Sequence, residues 1–157
     1  YSLFSTLYYA QGQYDKAISA GEKAIALSPN DPLAHAILGS AKKYAGKFEE
    51  AIKESETAIR LQPYYPDWYL QDLCMSYYYV GRYEDAVSAA QQALQRAEKQ
   101  EKKAAAFHYI LAVNYIQLGK EKQARYHAEE FLKIYPEYNL DIVRRTSPYK
   151  DPAHVEK

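Results

Sequence analysis

Along this chain, apolar and small residues recur at the spacing of one helix face, and each such run is cut by a glycine or a proline. In "AKKYAGKFEEA" a periodic run ends at Gly46 and a second begins just beyond it. A glycine there suits a helix end that needs a left-handed residue. Acids follow the break (Asp15, Glu49 and Glu50, Glu84 and Asp85, Glu121), where the positive end of a new helix dipole favours them. Pro29, Pro63 and Pro136 close the second run of three such pairs, and Asp31-Pro32 reads as a cap and first turn. The pattern predicts helix, tight turn, helix, several times over.

The pairs repeat. A shift of 34 residues superposes Gly12 on Gly46, Ala17 on Ala51, Ile18 on Ile52, Ala24 on Ala58, Leu27 on Leu61 and Pro29 on Pro63. A further 35 carries Gly46, Ala51 and Ala58 onto Gly81, Ala86 and Ala93, and a further 38 carries Gly81 and Ala86 onto Gly119 and Ala124. Ala17, Ala51, Ala86 and Ala124 stand where two antiparallel helices would cross closely. Four units result, about 1–31, 32–65, 66–102 and 103–136, with 137–157 as a capping tail built on Leu140, Ile142 and Val143.

This combination resembles the tetratricopeptide repeat, most cleanly in "HAILGSAKKYAGKFEEAIKESETAIRLQP", and the resemblance covers residues 1 to about 136. It implies an all-α solenoid, a right-handed superhelix whose concave face is lined by the first helix of each pair. Lys42 departs from the pattern, standing where the other units carry Tyr8, Tyr77 and Tyr115, and Phe131 replaces an alanine in the last unit. The final unit starts late, so the third is expected to have a longer second helix, a polar break near Lys99–Lys102 and a new helix from about Lys103.

Three consecutive tyrosines, Tyr77, Tyr78 and Tyr79, cannot share one helix face, because neighbours lie about 100° apart. Tyr77 falls with Leu70, Leu73 and Cys74 toward the partner helix, which leaves Tyr78 and Tyr79 for the groove. The register expects a groove of Tyr9, Lys43, Tyr44, Trp68, Gln71, Asp72, Met75, Tyr78, Tyr79, Tyr109, Val113 and Ile116, with Lys43, Gln71 and Asp72 orienting a ligand. An aromatic, methionine-containing surface suits a peptide or helix of a partner protein. Family members that grip chaperone C-terminal tails use a clamp of basic and amide side chains. Its places here hold Ser2, Thr6, Ile37, Trp68 and Asp72, or Ala36, Ser40, Asp72, Ala106 and Ile110, and Asp72 would repel a carboxylate. A chaperone-tail adaptor is not expected.

Composition narrows the rest. Twenty basic residues balance 20 acidic ones, so no global charge recruits nucleic acid or an anionic membrane. No apolar run is long enough to span a bilayer, and Cys74, the single cysteine, fits a reducing, cytoplasmic setting. There is no P-loop, no GxGxxG, no GxSxG and no HExxH, so no enzyme activity, cofactor or metal is expected. His35 and His108 fall at equivalent inward places and read as packing residues rather than ligands. The tail run Pro148-Tyr149-Lys150-Asp151-Pro152 resembles the end of the tetratricopeptide regions behind bacterial class III adenylate/guanylate cyclases. That resemblance implies a regulatory or self-associating segment of a multidomain signalling protein.

Overall fold

The computed structural model describes residues 1–97 and 101–139. The expected tail segment and cyclase-like run therefore lie outside the described residues, as does most of the break expected near Lys99–Lys102. Eight helices occur among the described residues: α1 (Ser2–Ala10), α2 (Tyr14–Leu27), α3 (Pro32–Tyr44), α4 (Phe48–Leu61), α5 (Asp67–Tyr79), α6 (Tyr83–Ala97), α7 (Glu101–Gln117) and α8 (Glu121–Ile134). They form an all-α solenoid of four helix pairs.

One backbone device makes every pair. Gly12, Gly46, Gly81 and Gly119 have φ of 71°, 81°, 81° and 67°, a region where a Cβ would collide with the following carbonyl. At each, the glycine N–H and the next N–H fold back onto the helix just ended. Gly46 donates to the Lys43 carbonyl at 3.0 Å and Lys47 to the Lys42 carbonyl at 2.9 Å, the paired bonds of a Schellman turn. The same two bonds recur at Gly12, Gly81 and Gly119. The chain reverses within two residues, and Ala17, Ala51, Ala86 and Ala124 are buried against the first helix. Between the first two units, Asp31 accepts from the Leu33 N–H at 3.0 Å with Pro32 in the first turn, which starts α3 where the sequence places it.

Each first helix packs on the pair before it and also touches the previous first helix, α1 with α3, α3 with α5 and α5 with α7. The second helices make no mutual contacts of comparable extent, so the first helices form the inner layer. Gly21 on α2 permits the closest junction: a Cβ there would stand 2.9 Å from Leu38 Cδ1. The largest core gathers Leu73, Cys74, Tyr77, Ala86, Ala90, Phe107, Leu111 and Tyr115 from the last two pairs. Cys74 is enclosed within it, and burial pushes its thiol up to about 12.

α7 has 17 described residues against 13 for α3 and α5, and α6 has 15 against 14 for α4; the junction between α6 and α7, where the longer second helix was expected to end, lies outside the described residues. Lys42, standing in for a core tyrosine, is itself buried. Its ammonium meets Glu54 at 3.0 Å and Glu50 at 3.3 Å, and Glu54 also holds His35 Nδ1 at 2.7 Å. Two carboxylates thus replace the apolar partners of a ring, and they hold the Lys42 ammonium above its usual range despite burial.

Candidate interaction face

The inner layer places the expected groove residues in six registers, and their fates differ. Tyr9, Lys43, Tyr78 and Ile116 occupy equivalent positions on the four first helices. Tyr78 was expected to open onto the groove and is 4 % exposed. The next first helix covers it: Gln117 Nε2 donates to its hydroxyl at 3.5 Å, and its ring meets Tyr79 edge-on at 5.3 Å and Tyr83 at 5.8 Å. Lys43, expected to orient a ligand, is likewise 4 % exposed. Its ammonium is bound to Asp72 on α5 and lies 4.0 Å from the Tyr44 ring centre. Burial pulls that ammonium down, but Asp72 and Tyr44 outweigh it and leave it above its ordinary value. Asp72 accepts from Ser40 as well, so the polar pair expected to face a ligand is consumed between units two and three.

Tyr44 and Tyr79 form a second register, and both turn toward the preceding pair. Tyr44 packs on Tyr9 at 5.4 Å, and Tyr79 stacks on Phe48 at 4.5 Å and 13°. These rings staple neighbouring units. Tyr109 is used in another way. It meets Phe131 at 5.6 Å and Tyr138 at 5.9 Å, and Phe131 and Tyr138 meet edge-on at 4.8 Å. The phenylalanine that replaces the recurrent alanine is thus the centre of an aromatic plug on the last pair. Burial pushes the Tyr109 phenol up to about 12.

Of the expected groove residues only Lys43 and Tyr78 are buried; Trp68, Gln71 and Met75 on α5 and Val113 on α7 stay partly open, as do Tyr9, Tyr44, Asp72, Tyr79 and Tyr109, with Ile116 at 59 % exposure. Trp68 rests edge-on against Tyr69 at 4.4 Å. Ile116 is open because no described helix follows α7 in the inner layer. Tyr78 and Lys43 are the two side chains that burial removes from the face the sequence suggests.

A second apolar surface escaped sequence reasoning. Leu3, Phe4 and Leu7 on α1 are exposed, beside a cleft of about 520 Å³ lined by Tyr1, Phe4, Tyr8, Lys16, Ala20 and Lys23. The residues equivalent to Phe4 are Leu38, Leu73 and Leu111, and those equivalent to Leu7 are Ala41, Ser76 and Asn114; all six are buried. The signal was in the alignment of units: these positions are mostly apolar or small, and in the later units a preceding helix pair covers them.

Among the described residues no three His, Cys, Asp or Glu side chains converge as a metal site, and no helix is long and apolar enough to cross a membrane.

Comparison with known proteins agrees with the geometry. Models of tetratricopeptide repeats match residues 6–43, 34–65 and 72–139. A TPR repeat-containing thioredoxin, TTL4 of Arabidopsis thaliana, is 35 % identical over 78 residues, which is 50 % of this chain and 11 % of that protein. A crystal structure of MamA superposes with a TM-score of 0.72 at 20 % identity, covering 97 % of this chain and 90 % of that one. TTC0263, a thermophilic TPR protein of Thermus thermophilus, gives 0.61 at 23 % identity over 89 % and 74 %. These structures share the fold with this chain.

Proposed function

Because the chain belongs to the tetratricopeptide repeat family, we propose that it binds a peptide or helix of a partner protein against the inner face of α5 and α7. The supporting observation is the run Trp68, Met75, Val113 and Ile116, apolar side chains left partly open on the inner layer while Lys43 and Asp72 neutralise each other. Such a surface selects for apolar contact and shape, with Gln71 able to orient a backbone or amide. It has no cation aimed at a carboxylate, so a chaperone tail remains a poor ligand. Capture from a lysate of the source cell tests this with wild type and Met75→Arg/Ile116→Arg. Both side chains are partly open, so helical content should survive. A partner held by wild type and lost by the folded variant supports the reading, and equal capture removes the inner face from consideration.

The open face of α1 supports a second reading, in which the chain is a regulatory or self-associating segment of a multidomain protein such as a nucleotide cyclase. Light scattering over a wide concentration range separates the two. A mass that rises with concentration and becomes monomeric in Phe4→Asp/Leu7→Asp favours self-association; a constant monomeric mass counts against it.

A further inference from the structure

His108 on α7 and His127 on α8 present the same atom to each other, Nδ1 to Nδ1 at 2.9 Å, with ring centres 5.1 Å apart. Both rings are only half-buried and well fixed. Tyr115 stacks on His127 at 5.7 Å, and Tyr126 lies edge-on to His127 at 5.0 Å and to His108 at 6.5 Å. One proton must sit between the two nitrogens for the contact to be favourable, and a second would drive the rings apart.

The repeat supplies a control inside the same molecule. The equivalent positions in the second pair are His35 and Glu54, again 19 residues apart and again in contact, at 2.7 Å. That pocket has its own cation, the Lys42 ammonium 3.0 Å from Glu54. In the fourth pair Tyr115 replaces Lys42 and His127 replaces Glu54. The pocket has exchanged an ammonium and its carboxylate for a phenol and a second imidazole.

We propose that His108 and His127 bind a divalent late first-row metal ion through their Nδ1 atoms. Two nitrogens bound at about 2.0 Å stand about 2.8 Å apart at a right angle and about 3.3 Å apart at a tetrahedral one. The observed 2.9 Å is close to the right-angled, tetragonal arrangement that Cu²⁺ and Ni²⁺ prefer. Binding replaces the shared proton with the metal, which stands off the line between the two nitrogens, so each ring turns to aim its lone pair at the ion. Neutral imidazole is the ligating form. Glu130, one turn beyond His127 on the same face of α8, is held by Lys133. With only two nitrogens fixed in advance, water completes the coordination, and the expected affinity is micromolar. The order should be Cu²⁺ above Ni²⁺, with Zn²⁺ below Cu²⁺.

The test is titration calorimetry of the full chain with CuCl₂, NiCl₂ and ZnCl₂ in a non-coordinating buffer near neutral pH, beside His108→Gln, His127→Gln, His35→Gln and His154→Gln. One saturable equivalent is expected, weakened at least about tenfold by either of the first two substitutions and unchanged by the last two. Absence of saturable binding overturns the proposal, as does binding that survives both His108→Gln and His127→Gln or that follows His154. Should the glutamine variants fail to fold, His127→Glu keeps a bonded pair by copying His35–Glu54. It should retain the fold and lose the nickel heat, and undiminished nickel binding in that variant is also a refutation.

Discussion

The contact that most directly tests how these units are locked together is Lys43–Asp72. It joins α3 to α5 across the inner layer, with side chains only 5 % and 14 % exposed. Asp72→Asn keeps the shape and the hydrogen bond from Ser40 but leaves a buried ammonium without a counter-charge. Removing one partner of a buried pair costs about 3–5 kcal/mol, because the remaining charge has lost its water and gained nothing. At a urea dependence of about 2 kcal/mol per molar, the unfolding midpoint should fall by about 2 M.

The pair as a whole is worth far less than that figure. Lys43→Met/Asp72→Leu removes both charges and fills the space with apolar atoms, and Ser40 still has the Ala36 carbonyl at 3.2 Å. The double variant should lie within about 1.5 kcal/mol of wild type. Urea unfolding followed by helical circular dichroism on wild type, both single variants and the double closes the cycle. A cost under about 1 kcal/mol for Asp72→Asn would refute this account, since the ammonium would then reach water. A double variant that costs the sum of the singles would refute it too, since the two side chains would then be acting independently.

Two further outcomes follow from the tyrosines and the turns. Burial raises the phenols of Tyr9, Tyr69, Tyr77, Tyr78, Tyr109 and Tyr138 above their ordinary 10.0, and the Lys42 and Lys43 ammoniums are raised as well. Above pH 10 the unfolded chain releases protons that the folded chain retains, so stability is intact below pH 10 and falls as pH rises toward 12. Tyr109 alone, at about 12, contributes a loss of about 2–3 kcal/mol across that window. Tyrosinate absorbance and helical signal should therefore change together, and full tyrosinate formation with the helices intact would contradict the assignment. Gly81→Ala introduces a Cβ that meets nothing within 4 Å at a φ of 81°, so its cost is backbone strain alone, about 1–2 kcal/mol. A thermal midpoint lowered by about 2–8 °C is expected, and an unchanged one would show that the turn relaxes.

The fold was legible because its determinants are local and repeated. Gly46 marks a left-handed helix end, Asp31-Pro32 a helix start and Ala51 a close crossing, and each needs only a few neighbouring residues to be recognised. The candidate face was less legible, because a helical wheel describes one helix while burial here is decided by the next. Tyr78 and Ile116 occupy the same register and resemble each other on the wheel. One is covered by α7, and no described first helix follows the other in the inner layer. Lys43 and Asp72, 29 residues apart, each looked like a surface charge, and only their meeting shows that neither faces a ligand. His108 and His127 were invisible for the same reason: each is a lone histidine until two helices bring their nitrogens together.

Register also decides where recognition can be built. The position shared by Tyr9, Lys43, Tyr78 and Ile116 works as a lock inside the array at Lys43 and Tyr78, both covered by the following first helix, with a charge pair at one junction and aromatic packing at the other. Selection on those two residues acts on the placement of successive units, while Tyr9 stays partly open and Ile116 exposed. The register of Met75 and Val113 is different, because those side chains remain partly open. Contact energy for a ligand therefore belongs to the register of Met75 and Val113, and the spacing of its residues to that of Lys43 and Tyr78. Asp72→Asn should then weaken any inner-face partner even where the protein remains folded, although Asp72 itself offers that partner no free charge.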